Sequence, residues 1–346
     1  DEAALQEALK KPITLYIGFD PTAPSLHVGN LVVLLVLRRF QLAGHNPIAL
    51  VGGATGLVGD PSGRNEERTL NSGDTVAEWV TKIRTQVSSF LDFDKGPNKA
   101  QVVNNLDWTS PLSAIEFLRD IGKHFSVNQM LAKDSVSSRL EAGGISYTEF
   151  SYQVLQSLDF LELYRRYQCT LQLGGSDQWG NIVAGLDLIR RVEGGSGHAL
   201  TIPLLTKTDG SKFGKTASGS IWLDAAMTSP YAFFQYWLNT DDKDVVKFLK
   251  VFSFKSHDEI TELEKAHESN PGLREAHRAL ARELTSLVHS PEISERVEEA
   301  AKALFGQGDL AALDASTLSG ALSELPRITV KSGEEIPSWV DLLAAT

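Results

Sequence analysis

The stretch TLYIGFDPTAPSLHVGNLVVLLVLRRFQLAG, Thr14 to Gly44, carries the fold in miniature. Thr14 to Phe19 is apolar and rich in residues that favour strands, and Leu31 to Leu42 is apolar almost throughout before Gly44 stops it. That order reads as strand, loop, helix. The loop Asp20 to Ser25 holds Pro21, Thr22 and Pro24, and Ser25 is the expected N-cap, so His27 is expected in the first helical turn. Free backbone N–H groups and the positive end of the helix dipole attract anions there. Gly29 has no side chain, which lets a flat ring press against the backbone.

Working outward, the alternation repeats. Strand-like Pro47 to Val51 precedes helical Val76 to Leu91, Cys169 to Leu173 precedes Gly180 to Val192, and Ala199 to Leu205 follows. Such alternation predicts an α/β fold, a Rossmann-like parallel sheet with helices on both faces and ligands at the carboxyl ends of its strands. Residues 108–167 are mostly helical, with Pro111 to Gly122 and Thr148 to Tyr167 as the clearest pieces, and read as an insertion. From Pro230 the pattern is helical only: Pro230 to Leu238, Asp244 to Val251, Ser256 to Ser269, Pro271 to Ser290 and Ile293 to Phe305. The expected division is residues 1–225, an all-helical domain over 226–325, and a linker over 326–346.

A second short segment, KFGKT at Lys212 to Thr216, follows the last strand-like run inside a stretch, Thr206 to Ser220, thick with Gly, Ser, Thr and Asp. It reads as a mobile loop able to deliver two ammonium groups. Solvated surface lysines look the same in isolation. Gly52 to Gly63 is glycine-rich but contains neither GxGxxG nor GxxxxGK[ST], which excludes dinucleotide and P-loop motifs. Tyr152, Gln156 and Asp159 share one helical face by their spacing. Such a stripe marks either the solvent side or, on a helix otherwise as apolar as this one, the lining of a pocket.

HVGN resembles the HIGH signature and KFGKT the KMSKS signature of class I aminoacyl-tRNA synthetases. YIGFDPTAPSLHVGN, ALVGGATGLVGDPSG, FSYQVLQSLDF and LQLGGSDQWGN resemble the bacterial-type tyrosyl-tRNA synthetases, and the similarity runs from about Leu15 to Val288. The resemblance implies activation of L-tyrosine by ATP and transfer to tRNA(Tyr). It implies that Tyr152, Gln156 and Asp60 bind the tyrosine ammonium and that Asp159 and Tyr16 hold the phenolic hydroxyl, with Gln172 nearby. For ATP it implies Gly18, Asp20, His27, Gly29, Gly174, Gly175, Asp177, Gln178, Leu205 and Lys215, with Asp177 on the ribose and the backbone at Leu205 on adenine. Asp177 alone would serve equally as an N-cap.

Catalysis of adenylate formation falls to His27, Asn30, Thr22, Lys212, Lys215 and Thr216, with Arg64 and Arg68 as mobile helpers. The fourth residue of the HIGH signature is histidine in the family and Asn30 here; asparagine keeps a neutral donor but cannot become cationic. Mg²⁺ is expected to accompany ATP without a protein cage, no residue is assigned to a metal, and no tightly bound cofactor is expected. The helical domain is expected to approach the anticodon arm of tRNA. The insertion, around Tyr147, is expected to carry a homodimer contact. The resemblance implies a small basic S4-type RNA-binding domain after such a tail, and the sequence stops before one: either it is a piece of a longer protein or the protein lacks that module.

A tryptophanyl-tRNA synthetase shares the architecture but has no phenol to grip, so the Tyr16 and Asp159 pair argues against it. A small-molecule adenylyltransferase would lack the KFGKT loop and helical domain. A non-catalytic RNA-binding derivative would tolerate loss of His27, Lys212 or Lys215, all of which are present.

Composition is that of an ordinary globular protein: 346 residues, 42% hydrophobic and 22% charged. The single cysteine, Cys169, permits no internal disulfide and no cysteine-cluster zinc site, which points to a reducing, cytoplasmic compartment. No charge-free apolar run is long enough for a membrane span. A net charge of −11 excludes a broad basic surface, so an RNA partner must meet local patches such as Arg190 with Arg191 or Arg165 with Arg166. Each of those pairs is also what a solvated helix face carries.

Overall fold

A computed structural model describes residues 1–62, 70–208, 210, 213–216, 219–304, 308–309, 313–322 and 338–345. Helix α1 (Glu2–Ala8), capped by the Asp1 side chain, leads into β1 (Thr14–Phe19). α2 (Val28–Leu42) returns the chain to β2 (Asn46–Val51), which pairs with β1 in parallel from Thr14 opposite Asn46 to Phe19 opposite Val51. After the single turn α3 (Thr55–Val58), α4 (Gly73–Ser88) brings the chain to β3 (Gln101–Asn104). This strand is not among the sequence expectations: it is four residues long, and its alternation is too brief to register.

The insertion follows as short pieces, α5 (Leu106–Thr109), α6 (Ala114–Glu116), α7 (Val127–Leu131) and α8 (Asp134–Ala142). The helix expected over Pro111 to Gly122 is mostly a π-helical segment, Phe117–Ile121, closed by a 3₁₀ turn at Gly122–His124. α9 (Tyr147–Tyr167) is long because no glycine or proline interrupts it, and Gln168 ends it in the left-handed region at φ 52°. β4 (Cys169–Gly175), α10 (Trp179–Glu193) and β5 (His198–Ile202) complete a five-stranded sheet of order β3-β2-β1-β4-β5, parallel throughout.

Strand alternation sends Tyr16 to the face where Ile48, Leu50, Val103, Leu158, Phe160, Leu161, Leu188 and Ile189 form one buried cluster. α9 and α10 pack on this face of the sheet, and the Tyr16 ring lies 5.4 Å from that of Phe160. α2 and α4 lie against β1 and β2. Chain order reverses between β1 and β4, so the crevice at the carboxyl ends of those two strands is the topological switch point. The expected loop over Thr206 to Ser220 contains a small antiparallel hairpin, β6 (Lys215–Thr216) with β7 (Gly219–Ser220).

The chain divides into two compact units, Asp1–Ser220 and Ile221–Thr346. The second is helical. α11 (Pro230–Leu238) starts with proline at its first position, where a missing N–H costs nothing, and Ser229 caps it. α12 (Val245–Phe252), α13 (His257–Ser269), α14 (Glu275–Val288) and α15 (Pro291–Leu304) follow; α14 and α15 pack on α11, and the ring of the fully buried Trp237 stands 4.9 Å from that of Phe252 and 6.3 Å from that of Phe248. The single helix expected over Pro271 to Ser290 is broken: Pro271–Leu273 forms a 3₁₀ turn and Arg274 adopts φ 53° before α14 begins. α16 (Ala315–Leu322) and α17 (Trp339–Ala345) lie in the tail.

Candidate active site

The turn into α2 differs from expectation in a way that matters chemically. His27, not Ser25, is the N-cap: its backbone is extended (φ −121°, ψ 172°) and its Nδ1 accepts from the Gly29 N–H at 3.0 Å. Asn30 completes a capping box, its Oδ1 accepting from the His27 N–H at 3.1 Å. With Nδ1 accepting from the backbone, a neutral His27 ring carries its proton on Nε2, and Asn30 keeps its amide nitrogen as a donor. The flat ring that presses on Gly29 is therefore that of His27: a Cβ there would stand 2.7 Å from the imidazole. Ser25 is buried instead, and Gln86 of α4 pins the segment by accepting from the Leu26 N–H at 2.8 Å and donating to Ser25 Oγ at 2.8 Å.

At the carboxyl ends of β1, β2 and β3 runs a buried hydrogen-bonded path. Tyr152 Oη donates to Asp20 Oδ2 at 2.7 Å, and Thr55 Oγ1 donates to Asp20 Oδ1 at 2.6 Å. Asn105 Nδ2 donates to Thr55 Oγ1 and to Asp159 Oδ2, both at 3.0 Å, while its Oδ1 accepts from the Ala54 N–H at 2.7 Å. Trp108 Nε1 donates to Asp159 Oδ1 at 2.9 Å. Asp159 is nearly inaccessible, and burial pushes its carboxyl up to about 8; the Asn105 and Trp108 bonds oppose the shift, and the charges of Asp20 and Glu162 add to it.

Tyr16 faces this carboxyl without a hydrogen bond. Burial, then the Asp159 charge, holds its phenol well above the usual value, and Tyr16 Oη is buried with no partner among the described residues. The same is true of Gln156 Oε1 and Gln172 Oε1. The polar stripe on α9 thus faces inward, with Tyr152 and Asp159 buried and Gln156 presenting a desolvated carbonyl.

Asp60 and Gln178, expected on different substrates, touch: Gln178 Nε2 donates to Asp60 Oδ2 at 2.6 Å, and Asp60 Oδ1 accepts from the Ser62 N–H at 3.0 Å. Asn181 ties this pair to α10 through Gln178 Oε1 at 3.2 Å and Ser62 Oγ at 3.4 Å. Asp177 sits in the 3₁₀ turn Ser176–Gln178 after β4, not at the start of α10, and its side chain caps no helix. Gly174 and Gly175 end β4, Gly174 against Ile182 and Gln178. Gly18 and Thr22 are exposed at the β1 end, and Leu205 is half-buried beyond β5.

The two phosphate-binding candidates meet. Gly214 takes φ 79°, a conformation side chains rarely adopt, and a Cβ there would lie 2.8 Å from Val28 Cγ2 and 3.5 Å from the Gly29 nitrogen. Gly214 of the KFGKT segment therefore lies against the first residues of α2. Arg64, Arg68 and Lys212 fall outside the described residues, as do the side chains of Lys215 and Thr216.

Asn105, Trp108, Thr55 and Asn181 are absent from the sequence expectations. Asn105 was findable: it follows β3, and the rule that places ligands at strand ends would have flagged it had that strand been read. Trp108 carries no signal of its own.

The family model for tRNA synthetases class I (W and Y) matches residues 7–306. The chain belongs to this family. Within these synthetases it is most like tyrosine--tRNA ligases: it is 63% identical to that of Streptomyces avermitilis over 99% of this chain and 81% of that protein. It is 62% identical to that of Streptomyces griseus, again over 99% of this chain and 81% of that protein. Among solved structures, a C-terminally truncated mitochondrial tyrosyl-tRNA synthetase from Aspergillus nidulans superposes with a TM-score of 0.78 at 30% identity, covering 87% of this chain and 89% of that one. Both the Rossmann-like class I fold and the synthetase signatures are those of the family. No helix among the described residues is long and apolar enough to cross a membrane.

Proposed function

We infer that the chain acts as a tyrosine--tRNA ligase, forming tyrosyl-adenylate and pyrophosphate from L-tyrosine and ATP and then transferring tyrosine to the terminal ribose of tRNA(Tyr). The observation that carries the amino acid specificity is the set of buried, unpartnered polar atoms beside Asp159: Tyr16 Oη, Gln156 Oε1 and Gln172 Oε1. A buried group left unpaired costs about 1–3 kcal/mol. A substrate phenol that accepts from Tyr16 and donates to Asp159 removes that cost at one end. An ammonium that donates to Gln156 removes it at the other, with Asp60 and the Tyr152 hydroxyl supplying negative potential. Phenylalanine would leave Tyr16 Oη unpaired. A site built to bond a substrate hydroxyl rejects the analogue that lacks it, because its own buried polar groups are then left unpaired.

The substrate carboxylate is ionised at neutral pH and attacks the α-phosphorus directly, so no general base is needed. The α-phosphorus bond to the bridging oxygen breaks and pyrophosphate leaves with the electron pair. Positioning and charge around that leaving group supply the catalysis. His27 Nε2, the Asn30 amide, Thr22 and the cations Lys212, Lys215, Arg64 and Arg68 are the groups assigned to it, with Thr216. Asp177 and the backbone of Gly18, Gly29, Gly174, Gly175 and Leu205 receive the nucleoside, and Asp20 borders it. Mg²⁺ arrives with ATP, and no resident cofactor takes part. In the second step a ribose hydroxyl of tRNA attacks the mixed anhydride and AMP departs.

Exposed apolar side chains on and beside the insertion, Ile115, Leu118, Val127 and Tyr147, support a homodimer contact. The helical unit supports an approach to the anticodon arm, and the reaction belongs in the cytoplasm. Tyrosine-dependent exchange of pyrophosphate into ATP tests the reading, with tryptophan and phenylalanine as controls. Exchange with tyrosine alone is expected; exchange driven better by tryptophan, or by no amino acid, refutes it.

A further inference from the structure

The helical unit contains a cluster that tyrosine activation does not use. The connection between α11 and α12 carries Thr240 and Asp242, α13 ends near His267, and α14 begins just before His277. The 3₁₀ turn and the left-handed Arg274 fold α13 and α14 back on each other, so two histidines ten positions apart in sequence come together. Their rings meet at 62° with centroids 5.4 Å apart. His277 Nε2 lies 3.2 Å from Asp242 Oδ1 and 3.1 Å from the Thr240 carbonyl oxygen, and His267 Nε2 lies 3.1 Å from the Asp242 carbonyl oxygen. One ligand atom from each of Asp242, His267 and His277 falls within 4.8 Å of the others.

Those distances can be compared with a metal centre. Bonds of about 2.0–2.1 Å to a tetrahedral zinc ion give ligand-to-ligand edges of about 3.3–3.4 Å. The His277 to Asp242 separation of 3.2 Å already has nearly that length. Of the other two, which reach at most 4.8 Å, the one to Asp242 shortens by rotation of its exposed side chain. The one between the histidines needs a small shift of both rings that gives up their Nε2–H bonds to the Thr240 and Asp242 carbonyls and moves each ring proton to Nδ1. Two imidazoles with one carboxylate select a borderline divalent cation over Mg²⁺ or Ca²⁺, which favour all-oxygen sets. His277 is fully buried and His267 nearly so, while the Asp242 side chain is 63% exposed. The cluster therefore has a rigid inner wall and one open side, through which an ion enters and where water fills a fourth position.

We propose that Asp242, His267 and His277 bind one zinc-class divalent ion, an open three-ligand site that staples the loop before α12 to the turn between α13 and α14. Two features set its strength. Neither His267 Nδ1 nor His277 Nδ1 has a hydrogen-bond partner among the described residues, and an outer partner of that kind is worth roughly 10- to 100-fold in affinity. The Arg274 charge also acts on His277 and opposes a dication. The dissociation constant is therefore expected at about the micromolar level, far weaker than in a closed structural site.

The test uses the full chain, untagged and stripped of metal with a chelator. Titration with Co²⁺ is expected to give the intense visible absorption of a four-coordinate ion, saturating at one equivalent per chain. Zn²⁺ is expected to bleach it and to raise the thermal unfolding midpoint. Asp242→Ala, at an exposed side chain, is expected to fold normally, keep tyrosine-dependent exchange, and weaken Co²⁺ binding at least tenfold. His267→Gln combined with His277→Gln is expected to abolish it. No saturable absorption in the wild-type chain, or equal binding in Asp242→Ala, overturns the proposal while leaving tyrosine activation untouched. So does a Zn²⁺ effect on the midpoint that persists in both variants.

Discussion

Replacing Trp108 by phenylalanine removes a single N–H from the 2.9 Å bond to Asp159 Oδ1 and leaves an apolar ring in its place. A hydrogen bond to a charged group contributes about 1.5–3 kcal/mol, so loss of this donor predicts a fall of roughly 10- to 150-fold in kcat/KM for tyrosine. The deficit carries a pH signature. With the Asp159 carboxyl pushed up to about 8, about a quarter of it is ionised at pH 7.5 in the unliganded chain. The Trp108 bond opposes the shift, so the variant's carboxyl rises further and less of it is ionised at pH 7.5. A substrate phenol donates much more strongly to the carboxylate than to the neutral acid. The loss should therefore shrink as pH rises from about 7.5 to about 9.5, the range over which the variant recovers its ionised form. Phenylalanine makes no bond to Asp159, so its activation should be unchanged and the preference for tyrosine should narrow by the same factor. Pyrophosphate exchange measured across pH with both amino acids reads all of this. A pH-independent deficit, or equal losses for tyrosine and phenylalanine, would refute the role given to Asp159.

Four further predictions test the site. The Asp159 carboxyl is raised in the folded chain from an ordinary 3.8 to about 8, so the stability it lends is complete below the lower value and lost as pH rises through the upper one. Denaturant unfolding of the unliganded chain should therefore weaken between about pH 5 and pH 8.5 more steeply than in Asp159→Asn; identical slopes would contradict the assignment. Gly214→Ala puts a Cβ into Val28 at φ 79° and should slow adenylate formation at least about tenfold with KM for tyrosine unchanged, as read by stopped-flow single turnover. Asn30→Ala removes the capping box and should cost about 1 kcal/mol in unfolding experiments. Asn30→His should change the adenylate rate less than about tenfold, and a gain of orders of magnitude would show that a cation is needed there.

The main-chain frame was legible where periodicity was long and punctuation strong. β1 matches its expected limits of Thr14 and Phe19, and α11 starts at the proline that announces it. Legibility failed where tertiary contacts decide. β3 is a strand because β2 pairs with it, not because four residues insist on it. α14 is cut from Pro271 by a single left-handed residue, Arg274, whose identity gives no warning. The HVGN segment was readable as an anion site, but that a histidine would cap its own helix was not, since histidine ranks below Ser, Thr, Asp and Asn at that position. Of the path behind Asp159 only Asn105 had a signal, the strand end it follows, while Trp108 and Thr55 had none. Asn105 and Trp108 stand 54 and 51 residues from Asp159 in the chain, and Thr55 another 50 from Asn105, and spacing arguments reach only within one element.

That path bears on attempts to retarget the enzyme to other amino acids. In the reading proposed above Asp20 borders the nucleotide and Asp159 faces the amino acid side chain, and Thr55 with Asn105 bridges the two carboxylates. A substitution at Asp159 strips Asn105 of an acceptor and loosens its hold on Thr55, so a change meant for substrate choice propagates toward ATP. Tyr16 has no such attachment, its hydroxyl being bonded to nothing else among the described residues. Recoding should therefore begin at Tyr16, where selectivity can drift without dragging nucleotide affinity along, and reach Asp159 only together with Asn105.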